Sequence, residues 1–163
     1  PEDVANIQFT SGTTGAPKAS TLTHFNILNN GWLLSERLKY TENDKICCSV
    51  PLYHCFGMVI SNMAAICTGS EVLFADESFN AEASLKVITE KKATSVYGVP
   101  TMFIEYIKHL KNNPGKYDTS SCRTGVMAGA LCPKPLMEQS IQYMNLHELT
   151  ICYGMTETSP VSY

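Results

Sequence analysis

Early in the chain, Thr10-Ser11-Gly12-Thr13-Thr14-Gly15-Ala16-Pro17-Lys18 gathers four hydroxyls, two glycines and one lysine behind an apolar run. Glycines let the backbone present consecutive N–H groups, hydroxyls add donors, and the lysine adds a point charge. A polyphosphate needs many short donors and a cation. The pattern is not a Walker A loop, G-x-x-x-x-G-K-[ST]. Its second glycine comes too early, Pro17 precedes the lysine, and Ala19 follows it. Late in the chain, Tyr153-Gly154-Met155-Thr156-Glu157-Thr158-Ser159-Pro160 follows another apolar run. Thr156 can donate to a phosphoryl oxygen, Glu157 offers the hard carboxylate oxygen that Mg²⁺ prefers, and Tyr153 presents a flat face to a base. Alone, a Thr-Glu pair is a solvated turn; its weight comes from the first loop.

These loops can act together only if the fold brings them to one rim. Residues 5–10 read as a strand and 19–22 as its hairpin partner. Thr23 reads as the N-cap of a helix to about Leu38, weakened by Gly31. Strands are expected at 45–50 (ended by Pro51), 70–75, 94–97, 123–127 and 149–152. Helices are expected at 56–67, capped by Gly69, at 81–92 behind Asn80, and at 101–111 and 133–144. Strands alternating with helices at roughly 20–28 residues per unit predict right-handed crossovers. The fold class is α/β, a parallel sheet with helices on both faces. Such sheets bind ligands at the carboxyl ends of their strands. The loops after Thr10, Val50, Tyr97, Met127 and Cys152 should therefore carry function, the first and last on the same edge.

A chain of 163 residues is one domain by size, or a large piece of a bigger one. With 44% hydrophobic and 17% charged residues it is neither disordered nor a charged coiled coil. A formal charge of −3 argues against a domain built to grip nucleic acid. Seven cysteines, at 47, 48, 55, 67, 122, 132 and 152, lie mostly in apolar runs, and none shows C-x-x-C spacing. They read as buried reduced thiols of an intracellular protein, cytoplasmic or in the mitochondrial matrix, rather than a zinc or disulfide framework. No apolar run reaches the ~18 residues of a transmembrane segment. The chain opens at Pro1 without an initiator Met and reads as part of a longer protein.

Taken together, Ser11 to Lys18 and Tyr153 to Glu157 resemble the adenylate-forming superfamily of acyl-CoA synthetases, adenylation domains and luciferases. Pro51-Leu52-Tyr53-His54 is similar to its P-x-x-H segment, Tyr97-Gly98-Val99-Pro100-Thr101 to its V-P-T segment, and Gly129-Ala130-Leu131 to its adenine-contacting turn. The wording of residues 9–18 and 51–55 is most similar to medium-chain fatty acyl-CoA synthetases. The resemblance implies that residues 1–163 are part of one AMP-binding domain, a fragment of the N-terminal domain, with the C-terminal lid domain outside it. It also implies ATP, Mg²⁺ and coenzyme A as cofactor or co-substrate, and a small carboxylic acid as substrate. Oligomeric state is not implied.

Residue by residue, the resemblance implies that Thr10, Ser11, Gly12, Thr13, Thr14, Gly15, Ala16, Pro17 and Lys18 wrap the β- and γ-phosphates. Gly129, Ala130 and Leu131 line the adenine and Tyr153 stacks on it. Thr156 binds the α-phosphate, Glu157 holds Mg²⁺, and His54 stands near the acyl carboxylate. Val99, Gly154 and Met155 border the acyl tunnel, with Phe56 and Met58 as further candidates. The other histidines, His24, His109 and His147, read as structural or solvated. Ala19 stands where the superfamily has glycine; in an extended backbone this costs little. The ribose-binding Asp, hinge Arg and catalytic Lys of the superfamily come later in its order than Tyr163. The longer protein is therefore expected to be a ligase and the isolated segment to turn over little. The alternatives are another adenylation enzyme (carrier-protein-loading or luciferase-like) and a non-catalytic nucleotide-binding fragment.

Overall fold

A computed structural model describes residues 1–11 and 15–162. Strands β1 (Val4–Thr10) and β2 (Lys18–Thr23) form an antiparallel hairpin. Thr23 caps α1 (His24–Arg37) through a reciprocal hydrogen-bond exchange with Asn26. Next come β3 (Lys45–Cys48), a π-helical segment (Phe56–Met63) and α2 (Ala64–Thr68), which ends at left-handed Gly69. Strand β4 (Glu71–Leu73), α3 (Ala81–Lys91), β5 (Ser95–Gly98), α4 (Pro100–Asn112), β6 (Thr124–Met127), α5 (Lys134–Met144) and β7 (Glu148–Ile151) complete the crossovers. Asn80 caps α3, accepting from the Ala83 N–H, as its sequence position predicts.

The central sheet is parallel, in the order β4-β3-β5-β6-β7. Its side chains alternate into two cores. Ile46, Cys48, Tyr97 and Val126 face α1, the π-helical segment and α2. Cys47, Val96 and Met127 face α3, α4 and α5. The predicted sheet with helices on both faces is therefore present. One expectation needs correcting. Strand β1 belongs to a separate two-stranded sheet and not to the parallel one. An apolar run pairs as readily across a hairpin as in a crossover, and here β1 pairs antiparallel with β2.

Other departures are local. β3 stops at Cys48, before Val50 and Pro51. Residues 56–67 are π-helical over Phe56–Met63 and α-helical beyond it. Gly31 is a packing requirement and no weak point. A Cβ there would stand 2.6 Å from Met63 Cβ, so its absence lets α1 lie directly on the π-helical segment.

At the amino ends of the strands, Asp44 is a buried anchor. It accepts from Arg123 Nη2 at 2.9 Å and Thr94 Oγ1 at 2.7 Å, while Arg123 Nη1 donates to Glu148 at 3.0 Å. This network ties β3, β5, β6 and β7 at one edge and leaves their carboxyl ends for a site.

Candidate active site

Thr10 pairs with Lys18 across the β1–β2 hairpin, so residues 11–17 form its loop. Gly12, Thr13 and Thr14, expected to bind phosphate, lie outside the described residues. Strand β1 has an inverted pattern: Ile7 and Phe9 are exposed while Gln8 between them is buried. Gln8 thereby faces the cavity described below. Ala19 sits in β2 opposite Phe9, in the extended backbone where alanine costs little.

The segment after β3 carries His54. The Phe56 N–H donates to its Nδ1 at 3.0 Å, so a neutral imidazole holds its proton on Nε2. Cys55 is buried beside it, its Sγ 3.7 Å from His54 Nδ1. Burial pushes the Cys55 thiol up from its ordinary pKa, and the Glu157 charge adds to this against a lowering by Thr156. A protonated thiol is no nucleophile. It donates to Thr156 Oγ1 across 3.8 Å, which leaves the Thr156 hydroxyl proton free to donate elsewhere.

Beyond β7 the chain makes a second hairpin, not expected from the sequence: β8 (Tyr153–Gly154) pairs with β9 (Val161–Ser162). Thr156–Thr158 forms a 3₁₀ turn at its tip. The Met155 N–H donates to the Pro160 carbonyl at 3.0 Å and to Thr158 Oγ1 at 3.1 Å. Gly154 is required here, because any Cβ would run into the Pro160 carbonyl oxygen. Strand β2 packs against the Thr156–Thr158 turn, so the first hairpin and the last turn meet.

Between them opens a cavity of about 540 Å³. The fold brings Thr10, Ser11, His54, Gly129, Tyr153, Gly154, Met155, Thr156 and Glu157 onto its wall, with Phe56 and Ile60 as its apolar floor. Gly15, Ala16, Pro17 and Lys18 are exposed and outside the wall, Lys18 one hairpin pair across from Thr10. Ala130 and Leu131 lie outside it too, Leu131 being 88% exposed. Val99 stands behind Gly129, its Cγ1 3.1 Å from where a Cβ would be. Met58 packs into the small core beneath β2 and α1. Among the wall residues that sequence reasoning missed are Gln8, Phe9, Tyr53, Cys55, Ala128, Cys152, Pro160 and Val161. Of these, Gln8 left a signal, a polar residue between two apolar ones in a strand.

Glu157 is the only acidic residue on the described wall, and no trio of metal-ligating side chains occurs among the described residues. Such a wall does not cage a cation. It suits one that takes a single carboxylate and completes its shell with phosphate oxygens and water, which is the habit of Mg²⁺. Hydroxyls at Thr10, Ser11 and Thr156 supply donors, and the exposed Tyr153 ring supplies a stacking face.

The sequence profile of the AMP-binding enzymes matches residues 1–163. The chain belongs to the AMP-binding enzyme family. It is 47% identical over 163 residues to the acyl-CoA ligase SID4 of Ajellomyces capsulatus, covering 100% of this chain and 27% of that protein. It is 43% identical over 164 residues to the mitochondrial medium-chain acyl-CoA ligase ACSF2 of Danio rerio, covering 99% and 27%. Its fold superposes on ATP-bound MatB from Rhodopseudomonas palustris with a TM-score of 0.83 at 25% identity, covering 98% of this chain and 30% of that one. The chain thus spans about a quarter of the length of these curated relatives. Among its described residues, no helix is long and apolar enough to cross a membrane.

Proposed function

We propose that this chain is the ATP- and acyl-binding part of an acyl-CoA ligase. The reaction activates a medium-chain or other carboxylic acid as its acyl-adenylate and passes the acyl group to coenzyme A. One observation carries this reading: in a member of the AMP-binding family, Thr10 and Ser11 share a cavity with His54, Thr156 and Glu157. Residues 1–163 then form part of one adenylation domain, completed by a C-terminal lid elsewhere in the longer protein.

The difficulty of the first step is electrostatic, since a carboxylate must attack the α-phosphorus of an anionic triphosphate. The acyl O–P bond forms as the bond to pyrophosphate breaks. Thr156 donates its free hydroxyl proton to an α-phosphoryl oxygen. Thr10, Ser11, Thr13, Thr14 and Lys18, with the backbone of Gly12, Gly15, Ala16 and Pro17, hold the β- and γ-phosphates. Glu157 ligates Mg²⁺, which when bound offsets phosphate charge in the transition state. His54 directs Nε2–H at the acid and fixes its approach. Tyr153 stacks on the adenine beside Gly129, Ala130 and Leu131, while Val99, Gly154 and Met155 bound the acyl group. The thiol of coenzyme A then attacks the acyl carbon and AMP leaves.

The test is pyrophosphate release by the full-length protein with ATP, Mg²⁺ and a panel of fatty acids. Release that requires the acid, followed by thioester formation on adding coenzyme A, is expected. Absence of release with every acid would end this reading.

A further inference from the structure

The turn that carries Thr156 and Glu157 is held from outside by a residue that none of the motifs includes. Asn30 projects from the middle of α1 and makes two hydrogen bonds to one residue of β9. Its Nδ2 donates to the Val161 carbonyl at 2.9 Å, and its Oδ1 accepts from the Val161 N–H at 3.1 Å. The side-chain amide thus pairs with Val161 as a neighbouring strand would, although the two residues are 131 positions apart.

Val161 is buried in the core beneath α1 and pairs with Gly154 of β8. Without Asn30, the N–H and C=O that Val161 offers it would be part-buried and unpaired, an unfavourable state for two polar backbone groups. The anchor itself is stiff. The next residue, Gly31, packs against Met63 with no room for a Cβ. Displacing the backbone at Asn30 therefore requires movement of the helix against Met63.

We propose that Asn30 is a positioning residue. By clamping β9 it fixes the height of the Thr156–Thr158 turn over the cavity, and so where Glu157 meets the metal and Thr156 meets the α-phosphate. This rests on the ligase reading for the chemistry. The clamp itself stands on geometry and can be tested separately.

Asn30→Ala in the full-length protein removes the amide while leaving a residue that favours helix. Hydrogen exchange without ligand is the first readout. Faster exchange in residues 153–162, with α1 unchanged, is expected; unchanged protection there overturns the clamp. The second readout is ATP–pyrophosphate exchange. The expected result is a fall in kcat of about 10- to 100-fold, as for a small misplacement of reacting groups. A raised Mg²⁺ requirement and an unchanged KM for the fatty acid should accompany it. A normal Mg²⁺ requirement, or a loss that only tracks the amount of folded protein, overturns the positioning role. Asn30→Asp keeps an acceptor for the Val161 N–H but sets a carboxylate oxygen against the Val161 carbonyl, and should be impaired in both readouts, as Asn30→Ala is. Wild-type protection of residues 153–162 in Asn30→Asp would also contradict the clamp. If the wild type shows no exchange with any acid, the ligase reading fails, while the hydrogen-exchange result still decides the clamp.

Discussion

Cys55 Sγ stands 3.8 Å from Thr156 Oγ1, joining two segments 101 residues apart in the chain. The thiol is the donor and the hydroxyl the acceptor, so this contact does not use the Thr156 hydroxyl proton. A neutral contact at this point also leaves Glu157 as the local charge on the wall.

Thr156→Val keeps the shape of the side chain and removes its donor. Losing one preorganised donor to a developing anion typically costs about 10²–10³ in kcat. Acid-dependent ATP–pyrophosphate exchange by the full-length variant should fall by that order, with an unchanged melting temperature. An unchanged rate would remove Thr156 from the account.

Gly154→Ala places a methyl group against the Pro160 carbonyl and cannot be absorbed by a rotamer change. Overpacking of this kind costs typically about 1–3 kcal/mol. Thermal melts should show a loss of stability and hydrogen exchange should localise it to residues 153–162. Wild-type protection in that segment would contradict the close approach.

Thiol labelling of the native protein, mapped by mass spectrometry, should reach Cys67 and Cys132 first, since these are the two partly exposed cysteines of the seven. Burial pushes the Cys47 and Cys122 thiols up to about 12 and the Cys152 thiol to about 11, so little thiolate exists there at neutral pH. Early labelling of Cys55 or Cys152 would show a cavity open to reagents from the core side.

Burial alone would raise the Asp44 carboxyl, but hydrogen bonds from Arg123 and Thr94 outweigh it and hold the carboxyl below its usual range. A depressed carboxyl stabilises the fold above its unfolded pKa of about 3.9, and that contribution is lost as pH falls through the lower folded value. Asp44→Asn should therefore destabilise the protein at neutral pH by about 3 kcal/mol, the low end for a broken buried pair, because Arg123 is partly solvated. The gap between variant and wild type should narrow in acid. Denaturant melts between neutral and acid pH check the sign; a gap that widens in acid would refute it.

Much of the fold was legible because its signals are local. Thr23 and Asn80 cap helices with their own side chains, Gly69 ends α2 in the left-handed region, and alternating apolar runs set the crossovers. What stayed hidden depends on distant partners. β8 and β9 are two residues each, too short for any periodicity. Nothing near Gly31 announces Met63 against it. Asn30 looks like any polar residue on a helix until Val161 is placed beside it. In the site, the two motif loops were legible by composition, but they do not share one sheet edge as expected: the first hangs on its own hairpin, whose β2 packs against the Thr156–Thr158 turn. Cys55, Ala128 and Cys152 were not legible, since apolar or small residues on a wall look like core in a sequence.

The most direct test of one nucleotide bridging the two loops is ATP–pyrophosphate exchange by the full-length protein carrying Lys18→Ala or Glu157→Gln. The wild type should exchange only with a carboxylic acid and Mg²⁺ present. Each variant should lose most of that rate with its melting temperature intact, and Glu157→Gln should also need more Mg²⁺. Wild-type exchange in both variants, at the wild-type Mg²⁺ requirement, would contradict the account.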